Sequence, residues 1–299
     1  MKKYNYPEER VAVVAMGCIM PDAMNIGTLW NNILEKRVSI REIPDHYFNK
    51  SVFYRSGVKG KINKDDKTYT KIAAVIDKIE FLNLGKKYRI PPAVSAYLDN
   101  NQKAAIYCAD QTLNSLRSSL PKERTAVILS TGTPGLKFEK LIKRTFFAHL
   151  KSQILNHQLI SKGSFPQIQD VLNDISYELL KDTQPITEDT TTGYLQNITA
   201  GRLSNIFDLW GPSYVVDAAC ASALTAISLS VSGLLNYEYD AVISGGVEVT
   251  LSEIPLTSFS GINALSPDGS YPFDSRANGF VIGLGGGTVV LKRLADALR

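Results

Sequence analysis

Three cysteines, three histidines, a glycine-rich run and a few clustered charges are what this 299-residue chain offers for chemistry. Cys220 is the best placed. It lies in residues 211–224, GPSYVVDAACASAL, where a strand-like run gives way to small residues and then to a helical pattern. A side chain at a strand-to-helix junction projects from the sheet edge toward the crevice where α/β folds hold ligands. The first helical turn leaves backbone N–H groups unpaired, and the helix dipole adds partial positive charge there. That setting suits a nucleophilic sulfur, and the same N–H groups can stabilise the oxyanion of an attacked thioester. Ala218, Ala219, Ala221 and Ala223 leave room for a substrate arm. On pattern alone Cys220 also reads as a small buried residue, because free cysteine is among the most buried types.

The histidines offer less. His46 lies in IPDHYF, where a solvated turn is the expected role. His149 and His157 share the helical run FFAHLKSQILNHQLI, two turns or about 12 Å apart along an axis, too far for one metal ion. Cys18, Cys108 and Cys220 form no CxxC pair, so neither zinc nor a disulfide framework is expected, and a reducing compartment fits. Gly283, Gly285, Gly286 and Gly287 suggest a nucleotide loop only superficially. The run lacks the third glycine of GxGxxG and a strand pattern follows it, so close backbone approach is the expected role. Residues 137–153, KFEKLIKRTFFAHLKSQ, read as an amphipathic helix with solvated lysines. Lys140, Lys143, Arg144 and Lys151 there could also meet an acidic partner. Asp274 and Arg276 are a candidate ion pair, expected to support their loop.

Positioning these residues falls to alternating strands and helices. Residues 11–16, 125–130, 214–216 and 240–244 are short apolar runs that read as buried strands, and TVVLKRL at 288–294 is strand-like. Helical spacing covers 28–34 with Thr28 as N-cap, 102–116, 137–181 with a break at 163–166, 194–203, and 221–235. Residues 38–70 mix Pro, Gly, Asn, Asp and Lys and read as an irregular excursion. The alternation predicts an α/β protein with a mostly parallel, covered sheet. A 44% apolar and 21% charged composition excludes a disordered or collagen-like chain. The net charge of +4 comes without long basic runs, so no nucleic-acid partner is expected. The first ten residues lack the apolar centre of a signal peptide. The longest apolar stretch, 214–235, contains Asp217 and several serines, so a cytoplasmic protein with no membrane span is expected.

Residues 211–224 resemble the active-site signature of the β-ketoacyl synthases, the condensing enzymes of fatty-acid and polyketide assembly, where D-T/A-A-C-S/A-S carries the nucleophile. Four further blocks resemble the family in its order and spacing. They are VAVVAMGCIMP at 11–21, NITAGRLSNIFDLWGPS at 197–213, SGGVE at 244–248, and LSPDGSYPFDSRANGFVIGLGGGTVVLKRL at 265–294. The resemblance implies a thiolase-like fold, a layered αβαβα sandwich. Residues 1–299 would form its N-terminal half as one domain, with a core of 11–35, 103–135 and 190–299. An extra helical cap or dimer insertion would occupy about 136–189.

The same resemblance implies an acyltransferase with Cys220 as the catalytic nucleophile and with Asp274, Arg276 and Gly285 in support. Cys220 would take an acyl group from a carrier-protein thioester, and decarboxylated malonyl-carrier would attack it. No bound cofactor is implied, only phosphopantetheine-linked acyl groups. The implied partners are an acyl carrier protein docking through Lys140, Lys143, Arg144 and Lys151, and a second copy in a homodimer. Decarboxylation in the family uses two histidines and a lysine in motifs of its second half, similar to E-A-H-G-T-x-T and N-x-G-H. Neither motif occurs here, so the C-terminal half is expected to be absent from this chain, either because it is a fragment of a longer synthase, the favoured reading, or because it is a natural half that needs a partner. This chain alone is expected not to condense. Ala218 and Ala221 stand where many relatives carry Thr and Ser, Leu284 replaces a common Glu, and Asn278 a common Asp. Residues 78–104 lack the M-D-P-Q pattern of modular synthases, which with Ala218 resembles the ketosynthases of polyunsaturated-fatty-acid synthases. Two other readings stay open. One is a non-catalytic scaffolding partner, against which Cys220 stands; the other is a thiolase or acyltransferase that uses the same cysteine without decarboxylation.

Overall fold

The computed structural model describes residues 10–57, 59–60, 66–77, 84–132, 135–161, 163, 167–181 and 183–299. The chain start, residues 78–83 and the helix break expected at 163–166, Gly163 excepted, lie outside the described residues. Two compact units divide the chain: Met1–Leu82, Asn100–Thr133 and Gln196–Arg299 in one, Asn83–Asp99 and Pro134–Leu195 in the other. The helical stretch expected at 136–189 falls in the second unit, which also takes in residues 83–99.

The first unit is built on strands β1 (Val11–Ile19), β2 (Arg41–Glu42), β3 (Ile72–Ala73), β4 (Thr125–Thr131), β5 (Ser213–Val215), β6 (Ala241–Glu248) and β7 (Gly285–Arg293). Five of them form one sheet in the order β1-β7-β6-β4-β5. Pairing of β4 with β5 and with β6 is parallel; β6 with β7 and β7 with β1 are antiparallel. The sheet is therefore mixed, not mostly parallel. The chain after β6 does not cross back over the sheet. It forms a short helix and a loop, then returns beside β6 in the opposite direction. Glycines permit that close pairing: Gly245, at φ 146°, lies so near β7 that a Cβ would come within 2.1 Å of the Gly287 carbonyl oxygen. Gly283, Gly285, Gly286 and Gly287 thus lead into and line a strand. Residues 38–70 are less irregular than expected, since β2 within them pairs in an antiparallel ribbon with β3, just beyond them.

Helices α1 (Ile26–Leu34), α2 (Lys50–Phe53), α3 (Leu84–Tyr88), α4 (Pro92–Tyr97), α5 (Asn100–Asn114), α6 (Leu136–Leu155), α7 (Gln158–Ser161), α8 (Ile168–Leu180), α9 (Glu188–Tyr194), α10 (Asn197–Phe207), α11 (Ser222–Leu235), α12 (Glu253–Gly261) and α13 (Leu294–Ala297) complete the described elements. Helix α1 starts before Thr28 because the Asn25 carboxamide accepts the Thr28 N–H at 2.9 Å, so Asn25 is the N-cap. Helix α11 covers one face of the sheet, where Ala226 and Leu234 pack with Ala126, Ile128, Val242 and Leu291. Side chains alternate along a strand, so Thr288 of β7 faces the other way. There its hydroxyl meets that of Thr112 on α5 at 2.6 Å. Helix α5 lies over β1 and β7 and α10 over β4 and β5. Every residue of β4 is buried, as a strand covered on both faces requires. No helix among the described residues is long and apolar enough to cross a membrane.

Candidate active site

Strands β4, β5 and β6 run parallel, so their carboxyl ends share one edge of the sheet, and Cys220 follows β5 at that edge. After Val215 the chain makes a tight turn through residues 217–219. Residues 219–221 then form one turn of 3-10 helix that leads into α11. Ala219 sits at φ 50°, a left-handed conformation that costs an alanine roughly 1–2 kcal/mol. Side chains on both sides hold it there. Asp217 Oδ1 accepts the Ala219 N–H at 2.9 Å. Ser222 Oγ accepts the Ala218 N–H at 2.7 Å and donates to the Ala219 carbonyl at 2.6 Å. Ser222 is buried while Cys220 is exposed, so the brace lies inside and the sulfur outside. Cys220 is not the small core cysteine that its type alone allows.

Cys18 and Cys108 show the contrast. Both are buried, and burial pushes the thiols of both up from the ordinary range, which keeps them neutral and inert.

The first turn of α11 is seated by the sheet. A Cβ on Gly246 of β6 would lie 2.3 Å from Ser130 Oγ and 3.0 Å from the Ala223 Cβ, so only glycine lets the helix approach this closely. At the same sheet edge, Asn101 Oδ1 accepts the Val249 N–H at 2.8 Å and Glu248 Oε1 accepts the Thr250 N–H at 2.9 Å. The Gln196 amide donates to the Gly132 carbonyl. A Cβ on Gly132 would fall into the Glu248 carboxylate. The buried hydroxyls of Thr131, Ser244 and Thr250 have no hydrogen-bond partner among the described residues. None of these polar groups, nor the Asp217 and Ser222 braces, was expected from the sequence. The signal for the braces was an Asp three residues before and a Ser two residues after the cysteine, at spacings that suit side-chain bonds to turn amides.

The other expected site residues take different places. Asp274 and Arg276 are joined by two side-chain bonds of 3.0 Å each, and Asp274 also accepts the Arg276 N–H at 2.9 Å. The guanidinium covers the Tyr271 ring at 4.6 Å, and Arg276 holds the Asp274 carboxyl below its usual range. Among the described residues no hydrogen bond joins this exposed pair to the Cys220 turn. Gly285 begins β7 opposite Glu248, and a Cβ there would meet Met20 Sδ at 2.6 Å. His46 stacks on Tyr47 at 4.4 Å between ring centroids, and all three histidines are exposed. Lys140, Lys143, Arg144 and Lys151 all lie on α6 in the helical unit. Lys140 and Arg144 line one cleft, Lys151 donates to Asn173 at 2.8 Å, and Lys143 lies outside that cleft. No cluster of three or more metal-ligating side chains occurs among the described residues.

The β-ketoacyl synthase N-terminal domain model matches residues 8–297. Over 292 residues the chain is 30% identical to polyketide synthase PksL of Bacillus subtilis strain 168, covering 97% of this chain and 5% of that protein. It is 26% identical over 295 residues to one polypeptide of the polyunsaturated fatty acid synthase of a Thraustochytrium species, covering 98% of this chain and 10% of that one. Among solved structures, a ketosynthase from module 6 of the bacillaene synthase of Bacillus subtilis 168 matches with a TM-score of 0.69 at 25% identity. That match covers 96% of this chain and 41% of that one. The oxazolomycin ketosynthase domain of Streptomyces albus JA3453 matches with a TM-score of 0.70 at 21% identity, over 97% and 43%. The chain therefore spans less than half of these solved ketosynthases and a small part of the curated relatives. Its mixed sheet, with helices packed against it, is the thiolase-like α/β fold of those ketosynthase domains. With matching over nearly its whole length, the chain belongs to the β-ketoacyl synthase family, as its N-terminal domain.

Proposed function

We propose that this chain is the nucleophile-bearing part of a condensing enzyme of polyketide or fatty-acid assembly, with Cys220 as the acyl acceptor. The observation that carries this reading is the exposed sulfur on a left-handed turn braced by Asp217 and Ser222. The Cys220 thiolate attacks the carbonyl of an acyl thioester borne on the phosphopantetheine arm of a carrier protein. The C–S bond to the arm breaks, and the departing thiolate takes up a proton. Backbone N–H groups at the start of α11 stabilise the intermediate oxyanion. Condensation follows when malonyl-carrier loses CO2 and its enolate carbon attacks the acyl-enzyme, returning the Cys220 thiolate.

Decarboxylation calls for donors over the malonyl thioester oxygen. His46, His149 and His157 are exposed and stand in no motif resembling the family's pair, so those donors come from a second ketosynthase half. Strand β5 is an outer strand of its sheet with Ser213 and Tyr214 exposed, which supports pairing with a second copy.

The test is incubation with an acyl thioester followed by intact mass measurement, beside Cys220→Ala. The expected result is one acyl adduct that the variant lacks. No Cys220-dependent adduct would favour the non-catalytic scaffolding partner instead.

A further inference from the structure

The strands beneath α11 present almost no charge to it. Side chains alternate along a strand, and Val242 and Leu291 mark the face that packs on the helix. The residues of β4, β6 and β7 that share this face are apolar, glycine or serine, except for Arg293 and Glu248 at its two ends. Arg293 donates to the Leu234 carbonyl in the last turn of α11. At the other end, a Cβ on Gly246 would lie 3.0 Å from the Ala223 Cβ in the first turn. The helix therefore runs opposite to β6, and Glu248, two residues beyond Gly246, lies toward the turn that carries Cys220. A cation at the carboxyl end and a carboxylate at the amino end both suit the helix dipole.

Glycines on both neighbouring strands make room for this carboxylate. Gly285 stands opposite Glu248 on β7. On the other side the Gly132 N–H donates to the Val247 carbonyl at 3.3 Å, which brings the end of β4 alongside. A Cβ on Gly132 would lie 1.3 Å from Glu248 Oε2, so the side chain lies across that end. Its other oxygen accepts the Thr250 N–H at 2.9 Å. One half-buried carboxylate thus touches the chain just past β4 and just past β6. A shorter or apolar side chain would leave the Thr250 N–H without this acceptor.

We propose that Glu248 is a positioning residue for acyl transfer to Cys220, which rests on the reading of Cys220 as the acyl acceptor. The carboxylate fills the step between the sheet edge and the first turn of α11. It so sets the height at which that turn, its sulfur and its unpaired N–H groups stand over the edge. An attacked carbonyl must meet the sulfur and the N–H groups at once, so a small displacement costs the transfer far more than it costs binding. Shape and hydrogen bonding carry the role rather than charge. A carboxamide has the same outline and keeps an oxygen for the Thr250 N–H.

The test measures acyl-adduct formation against acyl-thioester concentration, beside alkylation of Cys220 by iodoacetamide, which needs neither a thioester nor oxyanion donors. Cys18 and Cys108 are buried, so the alkylation reads Cys220. In Glu248→Ala the saturating acylation rate should fall about tenfold or more, with the half-saturating concentration and the alkylation rate unchanged. Glu248→Gln should acylate as the parent does. Gly132→Ala keeps the carboxylate but drives it off its seat, and should reproduce the loss. Circular dichroism checks each fold, and should Glu248→Ala not fold, Gly132→Ala and Glu248→Gln decide by the same criterion. Parental acylation in Glu248→Ala would overturn the proposal, as would a loss in Glu248→Gln equal to that in Glu248→Ala. Alkylation that falls in step with acylation would also overturn it, since the effect would then lie in the sulfur's reactivity and not in its position. A parent that is alkylated but never acylated would instead mark failure of the acyl-acceptor reading, and the proposal falls with it.

Discussion

Ser222 bonds to Ala218 across the residue that bears the nucleophile: its hydroxyl accepts the Ala218 N–H at 2.7 Å and hands its own proton to the Ala219 carbonyl. One buried side chain thereby fixes the backbone on both sides of the left-handed residue. Ser222→Ala removes both bonds and leaves the Ala218 N–H unpaired in the turn. The expected cost is about 1–3 kcal/mol in denaturant unfolding. Cys220 acylation should slow as well, and an unchanged acylation rate would show that the brace does not position the sulfur.

Ala219 stores strain that glycine would not. Ala219→Gly should raise stability by up to about 1 kcal/mol, because glycine takes a positive φ without a Cβ clash. Ala219→Val should lower it by more than that. Thermal melts of the two variants against the parent check the order.

Gly246 sets how near α11 comes to the sheet. In Gly246→Ala the new methyl meets the Ser130 hydroxyl and the Ala223 methyl, and the first turn of the helix must lift. Destabilisation of about 1–3 kcal/mol is expected. Acyl-adduct formation at Cys220 should fall further than the same loss of stability produces in a variant at the far end of α11.

Asp240 provides a pH test. Its carboxyl is held below the usual range chiefly by the Arg124 hydrogen bond, with Arg293 adding to it. A carboxylate lowered in the folded state contributes stability that is complete above its unfolded value, near 3.9, and is lost as pH falls through the folded one. Asp240→Asn should therefore be less stable at pH 7, by about 1–3 kcal/mol, because Arg293 stays buried without that partner. Below about pH 4 its stability should fall less steeply with acid than the parent's. Urea unfolding between pH 2 and 7 measures both.

Strand runs, the helices of the 137–181 stretch and the place of Cys220 were legible because burial and periodicity are written in residue type. TAVILS and DAVIS can hardly be anything but covered strands, whereas VAVVAM forms β1 with Val13 and Met16 exposed. Strand direction was not legible, since nothing in GLGGGTVVLKRL states which way it lies beside SGGVE. Gly245 and Gly287 permit the two strands to approach closely, and their direction is a property of the pairing itself. The N-cap of α1 went to Asn25 and not Thr28 because two capping types stood one turn apart and the carboxamide had the reach. At the site, the sequence pointed to the sulfur but not to its support. Asp217 and Ser222 act through turn amides whose direction depends on the φ of Ala219. Lys140, Lys143, Arg144 and Lys151 read as one basic set, and the structure divides them: Lys140 and Arg144 share the cleft, while Lys151 lies about 10 Å further along α6, bonded to Asn173.

Helix α11 is anchored at both ends. Gly246 and Ala223 seat its start, and at its end the Leu234 carbonyl accepts from Arg293, which also holds the Tyr239 carbonyl and the carboxylates of Asp240 and Asp296. Fourteen helical residues span about 21 Å, so the helix acts as a strut between the Arg293 cluster and the cysteine. A strut transmits displacement along its axis with little loss. Loosening the Arg293 end is then expected to shift the standoff of Cys220, without any residue near the sulfur having changed.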